Sequence, residues 1–578
     1  MGFQFNKKKD GSLRRTISME VGTGEVEQGT MWEIESPKIS SPFTIRRDIE
    51  KKLSVVIPAM NEEDTLEDVL IEVKKLIPDE IIVVVNGSTD KTALIARKYD
   101  AKVIEFHDRI GHDVGRAVGA LHTDADIYLF TDADIPIPAE DLYPFVEAIE
   151  NGDDLALNSI CWVTRYPKPD APTIDRVFIN MVQEREDLGV ENVLTIPHAF
   201  SKKGLDTISK EALANPQLAN ALAIDKGLQI SVPIEINVLR SNKRRSNHKK
   251  EKGEIMSKAY QRMHGDTIEA IQYLLDEYGE RGIYKDNLKF KADNVENLIT
   301  QWKQMSISRN ISIVLSISPY TVCLRNLLDE LVQCGVEIIP VVQMPNSLIV
   351  RELRRYELPF VKINQFIGQH SVFALGAQLA QGGIIVFHDT SSPIKPWELA
   401  PYYEEIMQNK IDMTINNQGR YLGKMESMHT AHIGNLFMNI VGSKNEIATS
   451  SMLIPPFALT KEALERLNPI TLMSPMVAHM KAIHLDLSIK PIHEIDYIGR
   501  ITKQYRPIIV NEERLKGDIL EGLAYWNSLY GIRGGFFDEG RNRELLTGSK
   551  YLKTNFQSCT KVYENHDISI LNDITVTK

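Results

Sequence analysis

Apolar residues in this chain fall into short runs that alternate with stretches of helical spacing. Residues 53–58, LSVVIP, form a compact run with β-branched members, which predicts a buried parallel strand. Within NEEDTLEDVLIEVKKL, residues Leu66, Val69, Leu70 and Val73 recur at helical spacing and share one face. IIVVV (81–85) predicts a second strand and AKVIEF (101–106) a third, with a helix between them at 92–99. Another helix at about 113–123 leads into a fourth strand ending in DIYLFTDAD. This alternation predicts a doubly wound α/β sheet, which takes ligands beyond the carboxyl ends of its strands. Residues 1–50 are polar and lack periodicity, so a flexible extension is expected there.

The pattern then occurs a second time. ISIVLSI (311–317) echoes the first strand and IIPVV (338–342) the second. RIGHDVGRAVGALHTDADIYLFTDADIPIPAEDLYPFVEAI aligns with FIGQHSVFALGAQLAQGGIIVFHDTSSPIKPWELAPYYEEI at one constant offset. Gly111 pairs with Gly368, Gly119 with Gly376 and Asp132 with Asp389. IPHAFSKKGL resembles IPPFALTKEAL further on, and PIEIN resembles HEID. Two tandem domains follow, over 51–295 and 305–545, with a polar tail at 546–578.

Bulk composition narrows the function. The chain has 578 residues, 43% hydrophobic and 25% charged, with a net charge of −11. An acidic balance argues against a nucleic-acid partner. Four scattered cysteines form no CxxC pair, which points away from structural zinc and towards a reducing, cytoplasmic setting. There is no apolar run of transmembrane length, and the start lacks the apolar core of a secretory signal. A homo-oligomer stays open.

The chemistry gathers at strand ends. Asp132-Ala133-Asp134 follows an apolar strand, where two carboxylates one residue apart can approach one hard cation, Mg²⁺ or Mn²⁺. Asp124-Ala125-Asp126 has the same spacing but precedes the strand, where a solvated loop is expected. Asn61-Glu62 and Asn86-Gly87-Ser88 also fall at strand carboxyl ends.

In order along the chain stand VVIPAMNEEDTL, VVVNGSTDKT, GHDVGRAVGAL and LFTDADI. Together they resemble the motifs of family 2 glycosyltransferases and their GT-A-fold relatives, closely over 51–160 and loosely beyond. The resemblance implies two tandem GT-A-like domains and transfer of a hexose from a nucleotide-sugar donor to a small-molecule or glycan acceptor. It implies that Pro58, Asn61 and Glu62 lie along the nucleoside, that Asn86, Ser88 and Asp90 line base and ribose, and that Gly111 and Arg116 flank the diphosphate. Relatives often carry Gly-Lys-Gly where this chain has Gly-His-Asp, so Arg109, His112 or Arg116 would make the basic contact. Asp90 is equally suited to capping the helix that follows it. The segment 239–263 is similar to the carboxyl-terminal part of glucosyl-3-phosphoglycerate synthase and mannosylglycerate synthase-type enzymes. That likeness implies His248 as third metal ligand beside Asp132 and Asp134, with Arg240, Lys243, Arg244 and Arg245 near an anion. It places His198 by the acceptor and makes Asp225 the nearest acid for a catalytic base.

In the second domain Ser391 replaces Asp134, and QMPNS replaces the NGSTD turn, so that domain is expected to be degenerate. Two other function classes compete. A nucleotidyltransferase would need a glycine- and arginine-rich loop after its first strand, which VVIPAMNEED lacks. A sugar- or polymer-binding scaffold would not need the four motifs of the first domain.

Overall fold

A computed structural model describes residues 50–240, 250, 256–285, 295–538, 540–546 and 574–577. The extension at 1–50, all but its last residue, and most of the 546–578 tail lie outside the described residues.

The first half is built on strands β1 (Leu53–Ala59), β2 (Glu80–Asn86), β3 (Lys102–Phe106), β4 (Ile127–Phe130), β5 (Leu155–Leu157), β6 (His198–Ser201) and β7 (Ile230–Ser231). They form one sheet in the order β3-β2-β1-β4-β6-β5-β7. The first four run parallel. β6 runs antiparallel to its neighbours β4 and β5, and β7 runs parallel to β5. Both faces of β1, β2 and β4 are buried, which is why those strands read as unbroken apolar runs.

The second half repeats this plan with β8 (Ile311–Ile317), β9 (Glu337–Gln343), β10 (Phe360–Ile363), β11 (Ile384–Asp389), β12 (Met413–Ile415), β13 (Phe457–Thr460) and β14 (Ile489–Pro491). Their order is β14-β12-β13-β11-β8-β9-β10, strand for strand the arrangement of the first half. An eighth strand, β15 (Ile574–Thr577), comes from the tail and pairs antiparallel with β10. The tail therefore returns to the second half's own sheet.

The matched glycines have a packing reason. A Cβ on Gly119 would sit 2.4 Å from Val56 Cγ1, and one on Gly376 would sit 2.3 Å from Val314 Cγ1. In each half a helix crosses its first strand so closely that only glycine fits.

The two halves share a core. One apolar cluster runs from Val84 and Phe130 through Phe178 and Ile268 to Phe437, Ile519 and Trp526. Phe178 stacks on Phe437 across the junction, with ring centroids 3.9 Å apart. Around this core the helices Lys258–Tyr278 and Glu512–Tyr530 exchange equivalent contacts. Arg281 donates to Asp518 Oδ1 at 2.6 Å, to Glu521 Oε2 at 2.8 Å and to the Arg514 carbonyl at 3.2 Å. Arg533 donates to Asp266 Oδ1 at 2.8 Å, to Glu269 Oε2 at 2.6 Å and to the Arg262 carbonyl at 3.1 Å. Such reciprocity is the signature of a two-fold, isologous interface, here formed inside one chain.

No helix among the described residues is long and apolar enough to cross a membrane. Cys161, Cys323 and Cys334 are free thiols.

Removing one partner of a buried ion pair leaves the other charge uncompensated. Arg281→Met and Arg533→Met are therefore each expected to cost about 3–5 kcal/mol in urea unfolding. A loss below about 1 kcal/mol in both would show that the exchanged contacts do not hold the halves together.

Candidate active site

The polar loops of the first half meet at the carboxyl edge of its sheet. Asn61, just past β1, adopts a left-handed conformation with φ 55°. Its backbone N–H donates to Ser88 Oγ at 3.0 Å, and its side-chain Oδ1 accepts from the Thr89 N–H at 2.8 Å. The loops after β1 and β2 are further tied by Asp90, which accepts from the Glu63 N–H at 3.0 Å and from the Thr92 N–H and hydroxyl at 2.9 and 2.5 Å. Burial pushes the Asp90 carboxyl up, but these donors outweigh it and hold the group below the ordinary carboxylate range. Glu62 is buried, its N–H donating to Thr92 Oγ1 at 2.8 Å. Asn86 is buried and accepts from the Ile110 N–H at 2.6 Å. Pro58 lies in β1 opposite Val84, beneath the helix His112–Leu121 at the Gly115 crossing.

That helix begins at Gly111, whose φ of 95° suits glycine alone. It delivers two side chains to one oxygen. His112 Nε2 and Arg116 Nη2 each lie 2.9 Å from Asp132 Oδ1. Arg116 Nη1 also donates to Asp113 Oδ1 at 3.2 Å. Burial raises the Asp132 carboxyl, but His112 and Arg116 more than offset this and hold it far below the ordinary range. Asp132 is thus a fixed anion at the end of β4, with buried Asp134 one turn of chain beyond. Arg109 is exposed and packs by Gly87, while His112 and Arg116 meet Asp132.

His198 opens β6 beside β4. It is fully buried, stacks on Phe130 with centroids 5.0 Å apart, and places Nδ1 3.1 Å from the Thr195 carbonyl. Burial first, and the Arg116 charge second, push its pKa down to about 3, so the ring is neutral at physiological pH. Among the described residues its Nε2 has no hydrogen-bond partner.

Two expected site residues stand elsewhere. Asp225 ends the helix Pro216–Asp225, just before β7. Because β7 runs parallel to β5, and β5 and β4 both run antiparallel to β6, Asp225 lies at the amino edge of the sheet, opposite Asp132. Its carboxylate accepts from Tyr273 Oη at 2.6 Å and from Tyr278, and pairs with Lys226 at 2.8 Å. It is a structural anchor for the Lys258–Tyr278 helix, so its expected role as catalytic base is withdrawn. His248 lies outside the described residues, as do Lys243, Arg244 and Arg245.

The control triplet behaves as a loop. Asp126 accepts from the Lys52 N–H at 2.8 Å and Asp124 pairs with Lys202 at 2.5 Å. Sequence reasoning missed Glu191, a buried acid on the loop entering β6, at the same edge as Asp132. It accepts from Ser159 Oγ at 2.8 Å. No motif marks it, because its position follows only from the antiparallel pairing of β6.

In the second half Gln369 stands where the first half has His112. Phe373 and His370 stand where the first half has Arg116 and Asp113. Asp389 ends β11 and is bonded by Ser391, its N–H at 3.0 Å. Burial here wins and pushes the carboxyl up. Phe387 stacks on Phe457 as Phe130 stacks on His198, again at 5.0 Å.

Residues 54–196 match the family model for "Glycosyl transferase family 2". A dolichol-phosphate mannosyltransferase of Pyrococcus furiosus is 32% identical over 115 residues, which is 19% of this chain and 33% of that protein. A dolichyl-phosphate hexose transferase of Haloferax volcanii is 35% identical over 104 residues, 18% of this chain and 45% of that protein. The chain thus spans less than half the length of these relatives. A solved structure of glucosyl-3-phosphoglycerate synthase from Mycobacterium tuberculosis, in complex with Mn²⁺, UDP and glucosyl-3-phosphoglycerate, aligns with 39% of this chain and 80% of that one. The identity there is 21% and the TM-score 0.29.

The two matched aspartates should respond oppositely to neutralisation. Asp132 has a lowered folded pKa, so its stabilising contribution is present above the unfolded carboxylate pKa and is lost as pH falls through the folded value. At pH 7, Asp132→Asn is expected to cost about 1.5–3 kcal/mol in urea unfolding, the worth of hydrogen bonds to a charged group. Asp389 has a raised folded pKa, so Asp389→Asn should be neutral or stabilising at the same pH. Equal losses in both variants would contradict the electrostatic difference between the halves.

Proposed function

We propose that the first half transfers a sugar from a nucleoside-diphosphate sugar to an acceptor, and that Asp132 and Asp134 hold a divalent cation, Mg²⁺ or Mn²⁺. The observation that carries this reading is Asp132 at the end of β4, 2.9 Å from both His112 Nε2 and Arg116 Nη2 of the His112–Leu121 helix and inside the segment that matches the family model.

The donor set suits a hard cation. Two carboxylates at a strand end, completed by substrate phosphate oxygens, are a normal Mg²⁺ or Mn²⁺ arrangement. Among the described residues no group of three His, Cys, Asp or Glu is arranged to hold a metal ion, and His248, the third ligand expected from the sequence, lies outside them. The bound cation would neutralise the diphosphate as it leaves.

The chain's own groups have distinct tasks. Asn61, Ser88 and Asp90 lock the loops after β1 and β2 into one surface, against which the nucleoside lies, with Glu62 and Asn86 buried behind it. His112 and Arg116 keep Asp132 ionised and oriented, and stand where a diphosphate needs positive charge. Gly111 opens the helix that carries His112 and Arg116. Neutral His198 forms part of the floor next to Phe130. Glu191, a buried acid at this edge that accepts from Ser159 Oγ, replaces Asp225 as the candidate acid for an acceptor hydroxyl. The second half, whose Asp389 is driven towards the neutral form, has no catalytic site in this reading. The identical strand orders support an origin of both halves by duplication.

A thermal-shift series tests the proposal, with UDP, GDP and ADP each added with and without MnCl₂. At a ligand concentration of 100 Kd the wild type should gain about 2.7 kcal/mol with at least one nucleotide, and only when metal is present. Asp134→Ala should abolish the gain. No response to any of the three nucleotides would overturn the reading and favour a binding scaffold.

A further inference from the structure

The charges around Asp132 do not end in the first half. Asp113, the partner of Arg116, also lies 3.8 Å from Nη1 of Arg541. Arg541 follows the last long helix of the second half, and its side chain is wholly buried. Its Nη2 donates to both oxygens of Asp266, at 2.5 and 2.6 Å, and its Nη1 donates to the Ala214 carbonyl at 2.7 Å. Its Nε lies 2.7 Å from Asp538 Oδ1.

The main chain next to it is fastened to the site as well. The Asn542 N–H donates to the Ile110 carbonyl at 2.8 Å. A Cβ on Gly111 would sit 2.5 Å from Arg541 Cγ and 3.0 Å from the Gly540 carbonyl oxygen. The segment from the second half therefore lies directly against the turn that opens the His112–Leu121 helix. That helix carries His112, Asp113 and Arg116.

We propose that Arg541 is a positioning residue for the first half's site, contributed by the second half. It acts through Asp113. A carboxylate held between two guanidinium groups fixes the direction of both, so Arg541 sets the angle at which Arg116 meets Asp132. The hydrogen bond from Asn542 to Ile110 fixes the opening turn of the same helix. The effect of Arg541 on Asp132 travels through Asp113 and Arg116. This inference rests on the reading of the first half as a nucleotide-sugar transferase. It gives the second half a task in that chemistry without a catalytic site of its own.

Arg543 supplies the internal control. It pairs with Glu269, Asp266 and Asp538 in the same cluster, but has no contact with Asp113. Full-length Arg541→Met, Arg541→Lys, Arg543→Met and Asp113→Asn would be compared by calorimetric titration with UDP, GDP and ADP in the presence of MnCl₂, and by thermal unfolding. Arg541→Met is expected to weaken metal-dependent nucleotide binding about tenfold or more, since small misplacements of an active-site group carry such penalties. Arg541→Lys should recover part of the loss. Arg543→Met should lower the thermal midpoint while keeping nucleotide affinity within about twofold. Asp113→Asn, which leaves Arg541 on Asp266, should reproduce the binding loss and so reads the role even if Arg541→Met does not fold. Unchanged affinity in Asp113→Asn, or equal losses in the Arg541 and Arg543 variants, would overturn the inference alone. Absence of binding by the wild type to any of the nucleotides would overturn the functional reading and this inference with it.

Discussion

A line of buried charges of alternating sign runs from the junction of the halves into the site: Asp266, Arg541, Asp113, Arg116, Asp132. A buried ion is tolerated only when paired and hydrogen-bonded, so each member constrains the next. Asp266 is itself held by three arginines, Arg533, Arg541 and Arg543, all from the second half. The position of the helix that carries His112 and Arg116 is thus set by residues far away in the chain. The halves cannot be treated as independent domains that happen to touch, because the apolar core beneath this line is also common to both.

The two halves are a natural experiment in what an active site costs and what a scaffold needs. The strand order, the close helix crossings at Gly119 and Gly376, and the stacked ring pair between the fourth and sixth strands are common to both. The charges differ. In the first half a histidine and an arginine meet the aspartate at the strand end, and it stays ionised. In the second, Phe373 takes the arginine's place, a serine caps the aspartate, and burial drives it towards the neutral form. The ring pair follows the same logic. Phe457 fills the second half's position with carbon, while His198 brings an unpartnered nitrogen into a buried place next to Arg116 and Asp132.

What was legible in the sequence was local. Unbroken apolar runs and helical spacing located β1 to β4 and the helices between them, although the first helix starts only at Leu66 within the stretch that opens at Asn61 and β4 stops at Phe130, short of Asp134; the second half then shows a sheet of the same strand order. The Asp132 triplet was separable from Asp124-Ala125-Asp126 because one follows a strand and the other precedes it. Long-range geometry was not legible. Asp225 was misjudged because its edge of the sheet depends on β6 reversing direction, which no short motif announces. Arg541 was missed because nothing near Gly111 in sequence signals that a segment of the second half lies on it. The Asp90 case is intermediate: its bond from the Thr92 N–H is local in sequence, although Lys91 and not Asp90 stands at the helix N-cap, and the tie to Glu63 across two loops is long-range.

The central claim is that sugar transfer belongs to one half of the chain. Its most direct test is release of nucleoside diphosphate from a panel of UDP-, GDP- and ADP-sugars, with MnCl₂, by the wild type, Asp132→Asn and Asp389→Asn. The account predicts turnover of at least one donor by the wild type, its retention in Asp389→Asn, and its loss in Asp132→Asn. Turnover that survives in Asp132→Asn and disappears in Asp389→Asn would contradict it.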